Sequence, residues 1–245
     1  MLSVILMLSI LSCSAKVLAT QHELNISPSL TVCTEVTTHS NITQPIIGNV
    51  IEQVSIAAQN TGIDLEIVRY PWNRCLNDVK NQKSDGIFAL IWTPERDKFL
   101  VFPKGTSDGS NQQRIAVTNY YFFENRERPL DISNLKYGIG APMGYVVREQ
   151  LQANGLLSPI NYSVQEGMIM VGRKKLDAYL VGEDIGTLVV NSLNLQDQVR
   201  MKQPPHFVQD LHIAFNKSIY NQHNTLLQRL WEELERMRLT SSESE

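Results

Sequence analysis

The chain has 245 residues, of which 42% are hydrophobic and 19% are charged, and its formal net charge is −3. This composition excludes a disordered chain and allows one large globular domain or two small ones. A nucleic acid is not an expected partner, because binding to phosphates needs clustered Lys and Arg.

The first segment of the chain is typical of a secretory signal. Residues 2–11 form an apolar run that is too short to span a bilayer and is soon followed by Lys16. We expect residues 1–19 to be a signal peptide cleaved after Ala19, which places the mature protein in the periplasm. The alternatives are an uncleaved membrane anchor, a buried N-terminal strand, and a lipoprotein anchored through Cys13.

The mature chain opens with strands and helices in alternation. Hydrophobic periodicity predicts a strand at 30–33, a helix at 47–58, a strand at 63–67, a helix at 71–83 and a buried strand at 87–91. This order predicts a parallel sheet with right-handed crossovers.

The same alternation restarts after the polar segment 104–113. The pattern predicts strands at 115–117, 137–140, 160–162, 176–181 and 212–215, with helices at 146–153 and around 168–171. A closing helix carries Leu226, Leu227, Leu230, Trp231, Leu234 and Met237 on one face, and residues 240–245 are expected to be a disordered tail. Two α/β units of roughly a hundred residues each are therefore predicted.

Two cysteines remain once the predicted signal is removed. Cys33 and Cys75 can form a disulfide in an oxidising compartment, or they can both be small buried apolar side chains. No CxxC or HxxxH spacing is present, so we predict no metal site. The five histidines are scattered and are interpreted as surface or capping residues.

The sequence lacks the common catalytic motifs. It contains no GxSxG, no HExxH and no phosphate loop. Gly138, Gly140 and Gly144 are spaced as GxGxxxG rather than GxGxxG, and no acid follows to hold a ribose, so no nucleotide cofactor is predicted. The helix start at Gly144 and Tyr145 can still offer amide groups to an anion.

The strongest local signal is Thr93-Pro94-Glu95-Arg96, which directly follows a buried strand. Thr93 can cap a helical turn, and the turn then projects Arg96 near the carboxyl end of a central strand, where open α/β sheets bind ligands. A guanidinium suits a carboxylate. The alternative is that Arg96 pairs with Glu95, Asp97 or another acid of the surface.

Several motifs follow one another in a recognisable order along the chain. They are YPWNRCL at 70–76, VKN at 79–81, SDG at 84–86, TPER at 93–96 and FP at 102–103, with further matches at 137–144, 176–178 and the closing helix. Together they resemble the bacterial extracellular solute-binding proteins of family 3, which deliver polar amino acids and similar solutes to ABC importers.

The resemblance implies a two-lobed, type II periplasmic-binding-protein-like α/β fold, in which each lobe is a small, mainly parallel sheet flanked by helices. We expect lobe 1 to comprise 20–106 with 206–239, and lobe 2 to comprise 107–205. A ligand binds in the cleft between the lobes in this family. We predict that the cleft is formed by Tyr70, Trp72, Trp92, Thr93, Arg96, Gly144, Tyr145 and Glu183, with Arg96 clamping a carboxylate.

Some positions depart from the family pattern. Ala89 and Ile91 lie where polar ligand contacts are usual. Gly182 occupies the position expected for the acid that binds an α-ammonium group, although Glu183 and Asp184 follow it directly and can substitute. The ligand is therefore an amino acid or a related carboxylate.

These observations predict a monomeric binding protein that captures a small polar solute for an ABC importer and needs no cofactor. One alternative is a dehydratase-type enzyme on the same scaffold, with Glu183 as its general acid. The other is a sensory or orphan binding protein that presents its ligand to a receptor.

Overall fold

The structure is a computed structural model that describes residues 27–35, 45–109 and 112–242. The predicted signal peptide and Cys13 lie outside the described residues. The strands are β1 (Ser29–Glu35), β2 (Asp64–Tyr70), β3 (Gly86–Leu90), β4 (Leu100–Val101), β5 (Ala116–Asn125), β6 (Ile139–Gly140), β7 (Ala178–Gly182), β8 (Val199–Met201) and β9 (Phe207–Asn216). The helices are α1 (Pro45–Thr61), α2 (Trp72–Lys80), α3 (Pro94–Asp97), α4 (Val146–Ala153), α5 (Val164–Gly172), α6 (Glu183–Ser192) and α7 (Lys217–Ser242).

Two α/β units share one continuous sheet, whose strand order is β2-β1-β3-β9-β5-β7-β6. In the first unit β1 pairs in parallel with β2 and β3, and in the second unit β6 pairs in parallel with β7. The remaining partners, β4, β5, β8 and β9, form antiparallel pairs. The predicted α/β architecture of two units is confirmed, and its sheets are mixed rather than purely parallel.

The two units are joined by an antiparallel ladder in which Ala116–Tyr120 of β5 pairs with Phe207–Leu211 of β9. We call the described residues up to 115, together with 212–242, lobe 1, and residues 121–206 lobe 2. The first crossing therefore lies later in the chain than the boundary at 106/107 expected from the sequence. Ile115 accordingly packs in the core of lobe 1.

The core of lobe 1 forms where two helices pack together on the sheet. Val50, Val54 and Ala58 recur at helical spacing on α1, and Leu230 and Trp231 of α7 join them in one buried cluster. Helix α7 runs on to Ser242, so it includes the first three residues of the predicted tail, and the rest of that tail lies outside the described residues.

A disulfide joins the end of β1 to α2. Cys33 and Cys75 have Cα atoms 5.5 Å apart, and both side chains are fully buried. Of the two interpretations of these cysteines, a disulfide or two buried free thiols, the structure confirms the disulfide. In the described ranges, no helix is both long and apolar enough to cross a bilayer.

The strand predicted at 160–162 is wrong. This segment forms no strand, and Ile160 is 55% exposed, so its apolar side chain marks no buried ladder. Three residues earlier, Leu157 forms an isolated β-bridge with Ile139 and no strand.

Candidate functional site

Arg96 reaches the gap between the lobes because of the short helix that carries it. Strand β3 is buried, and the chain leaves it through Ile91 and Trp92 before α3 begins. The Thr93 hydroxyl accepts a hydrogen bond from the Arg96 amide at 3.2 Å, which caps the helix. The Arg96 side chain is thereby turned inward and is only 7% exposed.

The Arg96 guanidinium is satisfied by carbonyl oxygens from both lobes. Its Nη1 donates to the Ile91 carbonyl at 2.7 Å, and its Nη2 donates to the Gly144 carbonyl at 3.0 Å. Within the described residues, no ion pair includes Arg96. Burial lowers the pKa of Arg96, and the nearby Glu149 and Tyr120 side chains oppose this shift. The site therefore contains a buried cation without a carboxylate partner.

Lobe 2 meets this cation with the turn that precedes α4. Trp72 Nε1 donates to the Gly144 carbonyl at 3.1 Å, and the Trp72 ring lies edge-on to Tyr145 with centroids 6.0 Å apart. Gly144 has φ +77°, and a Cβ atom there would clash with Asn73 Oδ1. A glycine is therefore required for so close an approach of the lobes.

Glu35 completes the contact between the lobes and was not predicted from the sequence. It ends β1, and its carboxylate accepts a hydrogen bond from the Tyr145 hydroxyl. Burial raises the pKa of Glu35 to about 7, and the bond from Tyr145 partly opposes this shift. A partial signal existed: β1 and β3 are parallel, so Glu35, as the last residue of β1, lies at the sheet edge from which the chain continues to Arg96. Its contact with Tyr145 of the other lobe left no local signal.

A cavity lies between these groups and is formed by both lobes. The cavity is small, as a site for a small solute would be. Its lining residues are Thr34, Glu35, Trp72, Ala89, Ile91, Arg96, Thr118, Tyr120, Tyr145, Val146, Gly182, Asp184, Ile185 and Leu211. The walls are thus largely apolar and aromatic, with Arg96 as the cation.

Three of the predicted side chains, Trp72, Arg96 and Tyr145, line this cavity. Gly144 is not among the lining residues, and its carbonyl accepts from Trp72 and Arg96, whereas the sequence predicted amide donors here. The Tyr145 amide instead donates to the Pro142 carbonyl at 3.4 Å. The turn at Gly144 therefore contributes a carbonyl acceptor to Arg96 rather than an amide donor to a ligand.

The other predicted residues lie outside the lining of the cavity. Thr93 acts as a helix cap, and the Tyr70 ring packs under the Arg74 guanidinium at 3.6 Å. Trp92 donates to Asp97 Oδ1 at 3.3 Å and faces a second pocket beside the ladder between the lobes. The contact of Tyr70 with Arg74 and the hydrogen bond from Trp92 to Asp97 thus hold side chains near the surface in place.

The first two residues of α6, Glu183 and Asp184, are both acidic, but only Asp184 lines the cavity. Glu183 accepts a hydrogen bond from Asn119 Nδ2 at 3.4 Å and does not line the cavity. Asp184 does line it, and burial, followed by the charge of Glu183, raises its pKa. Of the two replacements considered for the acid missing at Gly182, Asp184 is the one that faces the cavity.

Comparisons with known proteins identify the fold. No family model matches the sequence, and no curated protein matches it either. Among solved structures, the chain is similar to a histidine kinase sensor domain described as similar to periplasmic binding proteins, with 14% identity and a TM-score of 0.70 over 89% of this chain and 93% of that one. It is also similar to the GluR0 ligand-binding core from Nostoc punctiforme in complex with L-glutamate, with 15% identity and a TM-score of 0.64 over 86% and 94% of the two chains.

A third similar structure is the arginine-bound form of truncated ArgBP from T. maritima, with 15% identity and a TM-score of 0.63 over 85% of this chain and 96% of that one. The chain thus has the type II periplasmic-binding-protein-like fold, and the resemblance predicted from the motifs is confirmed for the fold. Both binding proteins and sensor domains share this fold.

Proposed function

We propose that the protein captures a small carboxylate-bearing solute, an amino acid or a related acid, in the cleft between its lobes. The observation that carries this proposal is the buried Arg96 guanidinium, which lines the cleft and has no carboxylate partner among the described residues. A buried charge is costly unless it is paired. A ligand carboxylate can replace the Gly144 carbonyl and form two parallel hydrogen bonds with Arg96.

The location that fits this role is the periplasm. The Cys33–Cys75 disulfide supports an oxidising compartment, and the apolar run at 2–11 supports export. In that compartment the protein delivers its solute to an ABC importer. The GluR0 core and ArgBP, which were solved with glutamate and arginine, support an amino acid as the first class of ligand to test.

A sensory role is the second candidate, because a histidine kinase sensor domain shares the fold over nearly the whole chain. The two roles differ in the event that ligand binding triggers. Deletion of an importer's binding protein abolishes uptake of the radiolabelled ligand, whereas deletion of a sensory protein leaves uptake intact and removes a transcriptional response.

The enzyme alternative loses support because Glu183 is not among the residues that line the cavity and its carboxylate accepts from Asn119. A dehydratase needs its general acid within hydrogen-bonding distance of the substrate. Incubation of the protein with hydroxy acids, followed by a search for dehydrated product, tests this alternative. Product that disappears in Glu183→Gln would restore it.

A thermal-shift screen of amino acids, amines and organic acids identifies the ligand class. A ligand at a hundred times its dissociation constant adds about 2.7 kcal/mol to the free energy of unfolding. This stabilisation corresponds to a rise in Tm of roughly 5–11 °C for a chain of this size. We expect carboxylates to raise the Tm and amines without a carboxylate to leave it unchanged.

Arg96→Met tests the clamp directly with the ligand found in the screen. Loss of a charge-assisted bond of about 1.5–3 kcal/mol should weaken binding by roughly 10- to 150-fold in calorimetry. Arg229→Met is the matched control, because Arg229 is exposed on α7 and the substitution removes the same charge. Equal affinity of the Arg96 variant and the wild type would contradict the proposal.

A further inference from the structure

One hydrogen bond across the cleft involves a carboxylic acid, whereas the other two use a carbonyl acceptor. Glu35 ends β1 in lobe 1, and Tyr145 is the N-cap residue of α4 in lobe 2. The hydroxyl of Tyr145 donates to the Glu35 carboxylate. Both side chains are partly buried, and both line the cavity. When the lobes separate, this bond must break and Glu35 must enter water.

Among the described residues, no cation forms an ion pair with Glu35. The positive group of the cavity, Arg96, directs its donors to two carbonyl oxygens. An ionised Glu35 is therefore buried by closure without a counter-ion, which is unfavourable.

In the described part of the chain, the other titratable groups that interact with Glu35 are not cations. Tyr120 of β5, Tyr145 of α4 and Tyr179 of β7 all interact with the charge of Glu35. Burial raises the pKa of each of these hydroxyl groups, so they stay neutral. Asp184 of α6 shares the cavity and is itself acidic. The surroundings of Glu35 therefore favour its neutral form when the lobes are closed.

We propose that Glu35 and Tyr145 form a proton-dependent latch, in which the lobes close more readily when Glu35 takes up a proton. The latch is a property of the protein without its ligand. It goes beyond the capture of a carboxylate and does not depend on it.

The direction of the pH effect follows from the two states of Glu35. In the closed form its pKa is about 7, and in water the ordinary value is 4.5. The closed form therefore binds the proton more tightly, and closure is favoured as the pH falls. The free energy that protonation of Glu35 contributes to closure is complete below pH 4.5 and is lost as the pH rises through about 7. One proton is taken up, so the closure equilibrium changes by at most about tenfold per pH unit.

Small-angle X-ray scattering of the ligand-free protein between pH 5 and pH 8.5 measures the opening of the cleft. We expect the radius of gyration to increase as the pH rises through 7. Glu35→Gln, which is neutral at every pH, should remain compact over the whole range. Glu52→Gln is the matched control, because Glu52 is exposed on α1, and it should behave as the wild type does. A constant radius in the wild type, or the same transition in Glu35→Gln, would overturn the latch.

Two further measurements do not require a Glu35 variant to fold. Tyr145→Phe keeps the ring against Trp72 but removes a hydrogen bond that favours the ionised form of Glu35. The pH transition should therefore move to higher pH in this variant. Carboxyl ¹³C titration of the wild type should also show one glutamate with a midpoint raised above the ordinary value of 4.5, and its absence would refute the proposal.

Discussion

Gly144 shows how a single residue controls the approach of the two lobes. Its left-handed backbone is needed for the turn, and its missing side chain leaves room for Asn73 and Trp72. Gly155 also has a positive φ, of 68°, but a Cβ atom there would have no neighbour within 4 Å. A substitution at Gly155 therefore adds backbone strain alone, whereas one at Gly144 adds both backbone strain and a clash with the other lobe.

Gly144→Ala should weaken closure, whereas Gly155→Ala should not. Both substitutions cost about 1–2 kcal/mol of backbone strain, so both should lower the Tm by several degrees. Only the Gly144 variant should have a larger radius of gyration at pH 5, because its new methyl group meets the other lobe. Identical scattering from the two variants would show that Asn73 moves aside without cost.

At the scale of the residue, the sequence predicted Arg96 and missed Glu35 for a physical reason. The cap by Thr93 is local, so four consecutive residues contain the information that orients Arg96. Glu35 gains its role from Tyr145, which lies 110 positions away and in the other lobe. A contact of this kind depends on how two lobes pack, which local patterns do not encode.

The disulfide between β1 and α2 acts at the scale of the element. Cys33 and Cys75 are 42 positions apart, so the bond restricts the unfolded chain over a long loop. Chain entropy gives a stabilisation of about 4 kcal/mol for a loop of this length.

The double variant Cys33→Ala with Cys75→Ala should therefore melt roughly 10 °C below the wild type, as measured by calorimetry. A phosphine reductant provides the control, because it should lower the Tm of the wild type and leave that of the double variant unchanged. A double variant that melts with the wild type would show that the bridge adds nothing to stability.

Elements with a regular apolar pattern were predicted well, and those at the joint between the lobes were not. Helix α4 was predicted with the bounds that the structure gives. Strands β5 and β9 are each ten residues long, but the sequence indicated only a few residues of each. In their shared ladder Val117 and Val208 are 40% and 50% exposed, so the usual rule of buried apolar side chains fails there.

At the scale of the whole molecule, two buried groups give opposite dependences of stability on pH. Burial lowers the pKa of His212 from 6.5 to about 4, so the folded state resists its protonation. The stability due to His212 is complete above pH 6.5 and is lost as the pH falls toward 4. For Glu35 the folded pKa is raised instead, so its contribution is complete below pH 4.5 and is lost as the pH rises through 7.

These opposing effects predict a nearly constant free energy of unfolding for the wild type between pH 4.5 and 6.5. In Glu35→Gln only the effect of His212 remains, so the free energy of unfolding should fall on acidification by up to about 3 kcal/mol. Urea unfolding at a series of pH values measures the difference. Parallel curves for the variant and the wild type would contradict this balance, and Glu52→Gln should follow the wild type.

The path of the chain through the two lobes also sets the order in which they can fold during synthesis. Lobe 2 is one continuous stretch, so all of its strands and helices are synthesised before β9. Lobe 1 starts first but must wait for β9 and for Leu227, Leu230 and Trp231 of α7, which fill its core. A chain truncated after residue 216 therefore contains all of lobe 2 but lacks α7, so the apolar surface of lobe 1 that Leu227, Leu230 and Trp231 cover is left exposed.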